Sequence, residues 1–186
     1  SKSIIDIIES TNEFKIEGLI SESKYNINKK ILGYEIIGSD EDLPLIRKSC
    51  ANAVIGIGHL GKTKKRMEIT KLLTKLEFNL PIIYSKYSII SSHSKVEEGT
   101  VVGHGAIINA GALVGSNCII NSNSLIEHDC KIGSQTHIST GVLINGGVTI
   151  GDNSFIGSGS IIREGLHLPT NCIISSGKRI MGWPLI

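Results

Sequence analysis

This chain lacks an excess of charge of either sign: 19 basic and 17 acidic side chains leave a net +2. A field that weak does not gather nucleic acid or an anionic membrane surface. Long apolar runs are missing too. Stretches such as Ile4–Ile8 fall far short of the ~20 residues that cross a bilayer, and no secretory-leader pattern opens the chain. The cytoplasm is therefore the expected location. Disulfides are also not expected from the four cysteines. Cys118, Cys130 and Cys172 share one position of the repeat described next, with Cys118 and Cys172 three turns of it apart. At ~4.8 Å per turn that is roughly 14 Å, beyond the ~7 Å a disulfide spans, so they read as small core residues, inert as nucleophiles. The 186 residues, 40% of them apolar, suffice for one or two folded domains.

What the chain does have is a period. Every sixth residue from Ile90 to Ile180 is Ile, Val or Leu, as in Ile120, Ile126, Ile132 and Ile138. The residue two before each is mostly small, for example Ala106, Ala112, Cys118 and Ser124, and the three after it are rich in Gly, Asn, Ser and Asp. Positions two apart on a strand face the same side, and the polar triplets suit turns. A hexapeptide period marks a stacked β-coil, whose short strands gain a core only from the turns above and below. The unit resembles the left-handed parallel β-helix of the hexapeptide acyltransferases, in which three hexads make one triangular coil of about 18 residues. No hexad between 90 and 180 is interrupted.

Residues 1–82 read as a separate small α/β domain, Rossmann-like and lacking its first strand, ahead of a β-helix domain over 83–186 with Pro81 at the boundary. Lys2–Glu9 carries Ile4, Ile5 and Ile8 at helical spacing. Phe14–Ile20 and Ala53–Ile57 are expected strands, and Lys62–Phe78 an amphipathic helix with Ile69, Leu72, Leu73 and Leu76 on one face. The β-α alternation suggests a parallel sheet. Between the second strand and that helix, Gly56 to Thr63 satisfies the phosphate-loop pattern G-x-x-x-x-G-K-[ST]. Nucleotide hydrolysis is disfavoured: the α/β region is short and shows no second magnesium carboxylate after a strand. Two readings remain open, a glycine turn contacting a substrate phosphate and a solvated basic helix start.

In the coil, each residue has an address. His128 falls at a corner and points away from the core, with Ala110 and Gly146 one turn to either side. Small neighbours leave room and expose backbone N–H groups, as a general base beside an oxyanion site requires. Asp129 or Glu127 is placed to hold the imidazole in its base tautomer. His137 precedes the inward Ile138 and so faces outward on the flat face opposite the His128 corner. The two histidines meet only across a subunit interface, which a cyclic trimer supplies; otherwise His137 is a surface histidine, as His93, His104 and His167 are taken to be.

The run Ser124 to Gly133, with His137-Ile138-Ser139 and Gly146 to Asp152, resembles the family of sialic-acid O-acetyltransferases and bacterial amino-sugar N-acetyltransferases, including the enzyme that acetylates the UDP-linked bacillosamine precursor. The likeness extends to Lys2–Ile8 and Val54–Gly58. It implies a homotrimer that binds acetyl-CoA between neighbouring coils, with His128 as base and Asp129 its acidic companion. Asn121 falls on an asparagine near the reacting group, and His137, Gly146, Ser158 and Ser176 on coenzyme positions. Gly58 and His59 are the expected acceptor contacts. The family's opening strand with its Gly-x-Gly-Gly-His loop is not in this sequence, and its Gly-x-Pro-Ala-Lys close stands as Gly182-Trp183-Pro184-Leu185. The expected activity is transfer of acetyl to the amino group of a nucleotide-linked (UDP-type) 4-amino deoxy sugar, in bacterial surface glycan or nonulosonic acid synthesis. O-acetylation of a sialic-type sugar is the nearest alternative, and a non-catalytic or metal-dependent β-helix the next. A zinc site would need three converging histidines, of which only His128 and His137 are placed.

Overall fold

The computed structural model of the chain describes residues 2–183. From Ile83 onward two-residue strands alternate with tight turns, and each strand pairs in parallel with one a full turn of the coil later: Ile119 with His137, Leu125 with Leu143, Lys131 with Thr149. The hexads sort into parallel sheets of six, six and five strands, the three faces of a left-handed β-helix. Inside, from Val102 onward, the aliphatic of the hexad and the small residue two before it are enclosed together, as with Ser124 and Ile126 or Cys130 and Ile132, while Ile90 and Val96 of the first hexads are partly buried. Each buried isoleucine contributes roughly 2–3 kcal/mol. The last turn residue takes a left-handed conformation, at Asn117, Asn123, Asp129, Gln135, Asn153 and Asn171 and at glycines such as Gly147. That conformation explains the Gly, Asn and Asp bias of the turns.

Outside, the three faces differ. One carries Lys95, Leu113, Lys131, Thr149 and His167 and is the polar face. A second carries Ile89, Ile107, Leu125, Leu143 and Ile161 in one continuous row, closed by Arg179; this apolar face has no cover, and Ile89 is 62% exposed. The third carries Ile83, Val101, Ile119, His137, Phe155 and Ile173. The N-terminal region lies on it.

That region starts with α1 (Lys2–Thr11), which lays Ile7 and Ile8 on Ile83 and Val101, with Phe14, Ile16 and Val54 packed around them. Next come β1 (Leu19–Ile20), β2 (Lys30–Ile31) and β3 (Tyr34–Gly38). They form a mixed sheet in which β3 lies between β1, parallel to it, and β2, antiparallel to it. A short helix α2 (Leu43–Ile46) and α3 (Lys64–Lys75) follow. Leu73, with Ile69, Leu72 and Leu76, packs on Leu43, Ile55, Phe78 and Leu80, as the helical stripe predicts.

Three expectations need correction. The strand expected over Phe14–Ile20 is confined to Leu19–Ile20 because Phe14 and Ile16 are drawn into the packing beneath α1. Ala53–Ile57 is not a strand. Its neighbour Asn52 makes one isolated bridge to Asn79, while the Ile55 and Ile57 carbonyls accept from the Arg66 guanidinium. The sheet is mixed rather than parallel, since β2 and β3 form a hairpin the sequence reading did not foresee.

Candidate active site

His128 stands at the corner between the apolar and polar faces, in a turn whose last residue, Asp129, has φ +60°. This left-handed step brings the Asp129 carboxylate back to its neighbour, where Oδ2 accepts from His128 Nδ1 at 2.8 Å. Nδ1 therefore carries the proton and Nε2 presents its lone pair. The same hydrogen bond, with the charges of Asp129 and Glu127, holds the His128 pKa above its ordinary value of 6.5. Glu127 is engaged elsewhere: its Oε2 accepts from the Asn109 side-chain amide Nδ2 at 2.9 Å and from the His128 backbone N–H at 3.3 Å. Of the two acidic candidates, Asp129 is the one that orients the ring.

One turn above, Gly146 lies directly against that ring. A Cβ there would come within 2.6 Å of His128 Nε2 and 2.7 Å of Cε1, so glycine is what lets the imidazole occupy its place. Its φ is not left-handed, so space rather than backbone conformation sets the requirement. Gly147 N–H is bound to the His128 carbonyl at 2.9 Å, whereas Gly146 N–H has no backbone partner among the described residues. A base with a free lone pair, an orienting carboxylate and a free N–H one turn away form an open acid–base site.

The covered face holds a different arrangement. His137 faces outward from the coil, as expected, but is only 8% exposed because the 58–61 segment of its own chain closes over it. His137 Nδ1 donates to the His59 carbonyl at 2.8 Å. His59, 6% exposed, donates from Nε2 to the Gln135 carbonyl at 2.9 Å and accepts the Gly61 N–H on Nδ1 at 3.2 Å. Burial, then the neighbouring His137, lowers the His59 pKa to about 4, and burial lowers that of His137 as well. His137 Nε2 is enclosed without a partner. Beneath the segment, Arg66 is 1% exposed and donates to the carbonyls of Ile55, Ile57 and Asn117. Burial lowers its pKa to about 10, leaving it a cation at neutral pH.

These contacts correct two expectations. Gly58 and His59 do not offer an acceptor surface, since Gly58 sits against His137 and Ile119 and both nitrogens of His59 are bonded. The phosphate-loop pattern forms no cradle either: no strand precedes it, the Gly61 N–H is taken by His59, and the Thr63 hydroxyl donates to Met67 Sδ. His137, in turn, is not a surface histidine, because the 58–61 segment of its own chain covers it.

Asn121, Ser158 and Ser176 fall at a third place, the corner between the covered and apolar faces. Asn121 Oδ1 accepts its neighbour's N–H at 2.9 Å, and the hydroxyls of Ser139 and Ser158 lie 2.8 Å apart. The candidate residues thus gather in three groups, His128 with Asp129 and Gly146, His137 with Gly58 and His59, and the Asn–Ser corner, with the apolar face dividing the first from the third. His104 was missed. It lies one turn below Ser122 in the serine corner and bonds both Ser85 Oγ, at 2.6 Å, and Asp6 Oδ2, at 2.8 Å. Its address in the repeat was the available signal; its link to α1 was not readable. Among the described residues no three His, Cys, Asp or Glu side chains gather as a metal site, and no helix is long and apolar enough to cross a membrane.

Coil and covering α/β region together make a left-handed β-helix with a small N-terminal α/β region, a fold met in solved acetyltransferase structures. Residues 111–146 and 129–164 match the bacterial transferase hexapeptide (six repeats) family. No curated protein matches the chain. Among solved structures, the acetyltransferase domain of PglB from Neisseria gonorrhoeae superposes with a TM-score of 0.85 at 22% identity, over 97% of this chain and 86% of that one. Its complex with acetyl coenzyme A gives 0.81 at 21%, over 96% and 86%. PerB from Caulobacter crescentus, in complex with CoA and GDP-perosamine, gives 0.75 at 22%, over 91% and 86%.

Proposed function

We propose that this chain is an acetyl-CoA-dependent acetyltransferase acting on the amino group of a nucleotide-linked 4-amino deoxy sugar, of the UDP type, in bacterial surface glycan or nonulosonic acid synthesis. The observation that carries the reading is the His128–Asp129 pair, poised with a free Nε2 beside a glycine whose Cβ would fall within 2.6 Å of it. Solved structures of the same fold hold acetyl coenzyme A in one case and CoA with GDP-perosamine in another. In the reaction the sugar amine attacks the thioester carbonyl and its proton passes to His128 Nε2. Asp129 stabilises the imidazolium and the Gly146 N–H the tetrahedral oxyanion. The C–S bond then breaks, and the departing thiolate takes up the proton. Transfer is direct, because Cys118, Cys130 and Cys172 lie in the core with their thiol pKa values raised by burial, that of Cys118 to about 12.

The working unit is a homotrimer. The row Ile89, Ile107, Leu125, Leu143 and Ile161 is continuous and without cover, and three copies turning it toward a common axis bury it. That packing brings the histidine corner of each copy against the serine corner of the next. His128 then shares a groove with the partner's Asn121, Ser158 and Ser176, the last two along the coenzyme. We place the enzyme in the cytoplasm, with both co-substrates. Light scattering should give three times the 20.0 kDa chain mass. A coupled assay of CoA release against nucleotide-linked amino sugars and free sialic acids tests the activity; no turnover with any amino sugar would end this reading.

A further inference from the structure

The uncovered apolar face ends on a charge. Of its six outward side chains five are Ile or Leu, and the sixth, Arg179, stands on the topmost strand in register with Ile161. Ile180 beside it is 2% exposed, so strand alternation turns the guanidinium out of the face and into solvent. Among the described residues Arg179 forms no ion pair. The charge around it is one-sided as well. From Asn153 to Trp183 the chain holds a single acidic residue, Glu164, against Arg163, Lys178 and Arg179, and Glu164 has the corner address of His128 two turns up, off the flat of the face.

Three-fold packing multiplies that charge. Burying the apolar row turns the middle of the face toward the axis, and rotation about an axis parallel to the coils leaves heights unchanged, so three copies of Arg179 arrive at one level around it. Below them lies a ring of three Ile161 side chains, an apolar floor. This level is three turns, roughly 14 Å, above the turn of His128, and it lies at the centre of the face, away from the corners that form the active-site groove. Three like charges over such a floor repel one another, and an anion held between them removes that cost. The guanidinium fork matches the oxygens of an oxyanion better than it matches a halide. A tetrahedral oxyanion centred on the axis presents three equivalent oxygens, one to each guanidinium, and directs its fourth along the axis toward solvent.

We propose that the upper end of the three-fold axis is an anion site, one for each trimer, in which three Arg179 side chains hold a tetrahedral dianion of the phosphate or sulfate class. The inference rests on the three-fold packing of the proposed function and not on its chemistry. A dianion offsets two of the three charges. Because its contacts come from all three subunits, it binds the trimer and not the separated chain, so the site couples assembly to the oxyanion concentration.

The test compares the full chain with Arg179→Gln and Arg179→Leu in potassium chloride, titrated with inorganic phosphate at constant ionic strength. Calorimetry is expected to show one phosphate site for every three wild-type chains, lost in both variants; sulfate should compete for it and chloride should not. With phosphate at about ten to a hundred times its Kd, the wild-type trimer should melt roughly 1–2 °C higher, a small shift because one ligand is spread over three chains. General exclusion of these anions from protein surfaces acts on all three proteins alike and cancels in the comparison. Arg179 is exposed and leucine continues the apolar row, so Arg179→Leu should remain a trimer that melts no lower than the wild type in chloride. Phosphate binding that survives in both variants would overturn the site, as would a wild-type trimer that takes up no phosphate, and either result leaves the transferase reading standing. An Arg179-dependent site filled once per chain would remove it from the axis. A wild type that is monomeric by light scattering would overturn the packing and this inference together, whereas failure to bind acetyl-CoA by a protein that is trimeric and takes phosphate would overturn the transferase reading alone.

Discussion

The histidine corner and the covered face are made from the same hexad, yet they hold imidazoles in opposite states. His128 sits in solvent against a carboxylate that raises its pKa, with one nitrogen free. His137 sits under its own chain beside a buried cation, with its pKa lowered and its second nitrogen enclosed. The repeat supplies outward positions at equal spacing along every face; what an outward residue becomes depends on what lands on that face. A poised base needs an uncovered corner, and a docking platform needs a covered flat. One protein built on a single period provides both.

The sharpest way to break this contrast is His128→Ala. Turnover should fall by roughly 10²–10⁴-fold, the usual worth of a positioned general base, with the melting temperature unchanged because the ring contributes nothing to the core. Near-normal kcat with any sugar the wild type accepts would remove His128 from the mechanism.

Gly146→Val attacks the same corner from the next turn. Its branched side chain needs the space of the His128 ring and must push it aside, so kcat should fall by about 10²-fold, as for a misplaced catalytic group. The backbone at Gly146 is one a valine can adopt and the ring it meets is free to swing outward. Melting should therefore hold while acetyl-CoA affinity, read by calorimetry, declines; a variant that binds the coenzyme and turns over normally would refute the groove.

Asp129→Asn should cost less, on the order of 10-fold, and it carries a pH signature. The carboxylate raises the His128 pKa, so the wild type loses its unprotonated base as pH falls through a value above 6.5. Without the charge that acid limb should move to lower pH, as a kcat/KM profile from pH 5 to 9 would register. An unmoved limb would mean that Asp129 does not set the pKa of the base.

The smallest effect on catalysis should come from the other region. Arg66→Leu leaves the Ile55, Ile57 and Asn117 carbonyls without their donor, which costs about 3 kcal/mol and lowers the melting temperature by roughly 10 °C. Below that temperature kcat should stay within about 2-fold, since the covered face only supports the site. A large kcat loss with unchanged melting would show that the covered face takes part in the chemistry.

By itself the sequence determined the coil, its three faces, the corner address of His128 and the enclosure of Cys118, Cys130 and Cys172. Burial there is set by strand alternation and by neighbours one turn away, and both are written in a period of six. Asp129 was legible for the same reason, although its choice over Glu127 needed the left-handed turn that folds its carboxylate back onto the ring. Only the tertiary structure decided that the 58–61 segment seals His137, that His59 spends both nitrogens inside its own chain, and that His104 ties Asp6 to Ser85. The contacts that tie these groups together, His59 to Gln135, His137 to His59 and His104 to Asp6, join the N-terminal region to coil positions more than 70 residues away. No periodicity records such a pairing, because it depends on which outward side chains offer the docking segment a better surface than water.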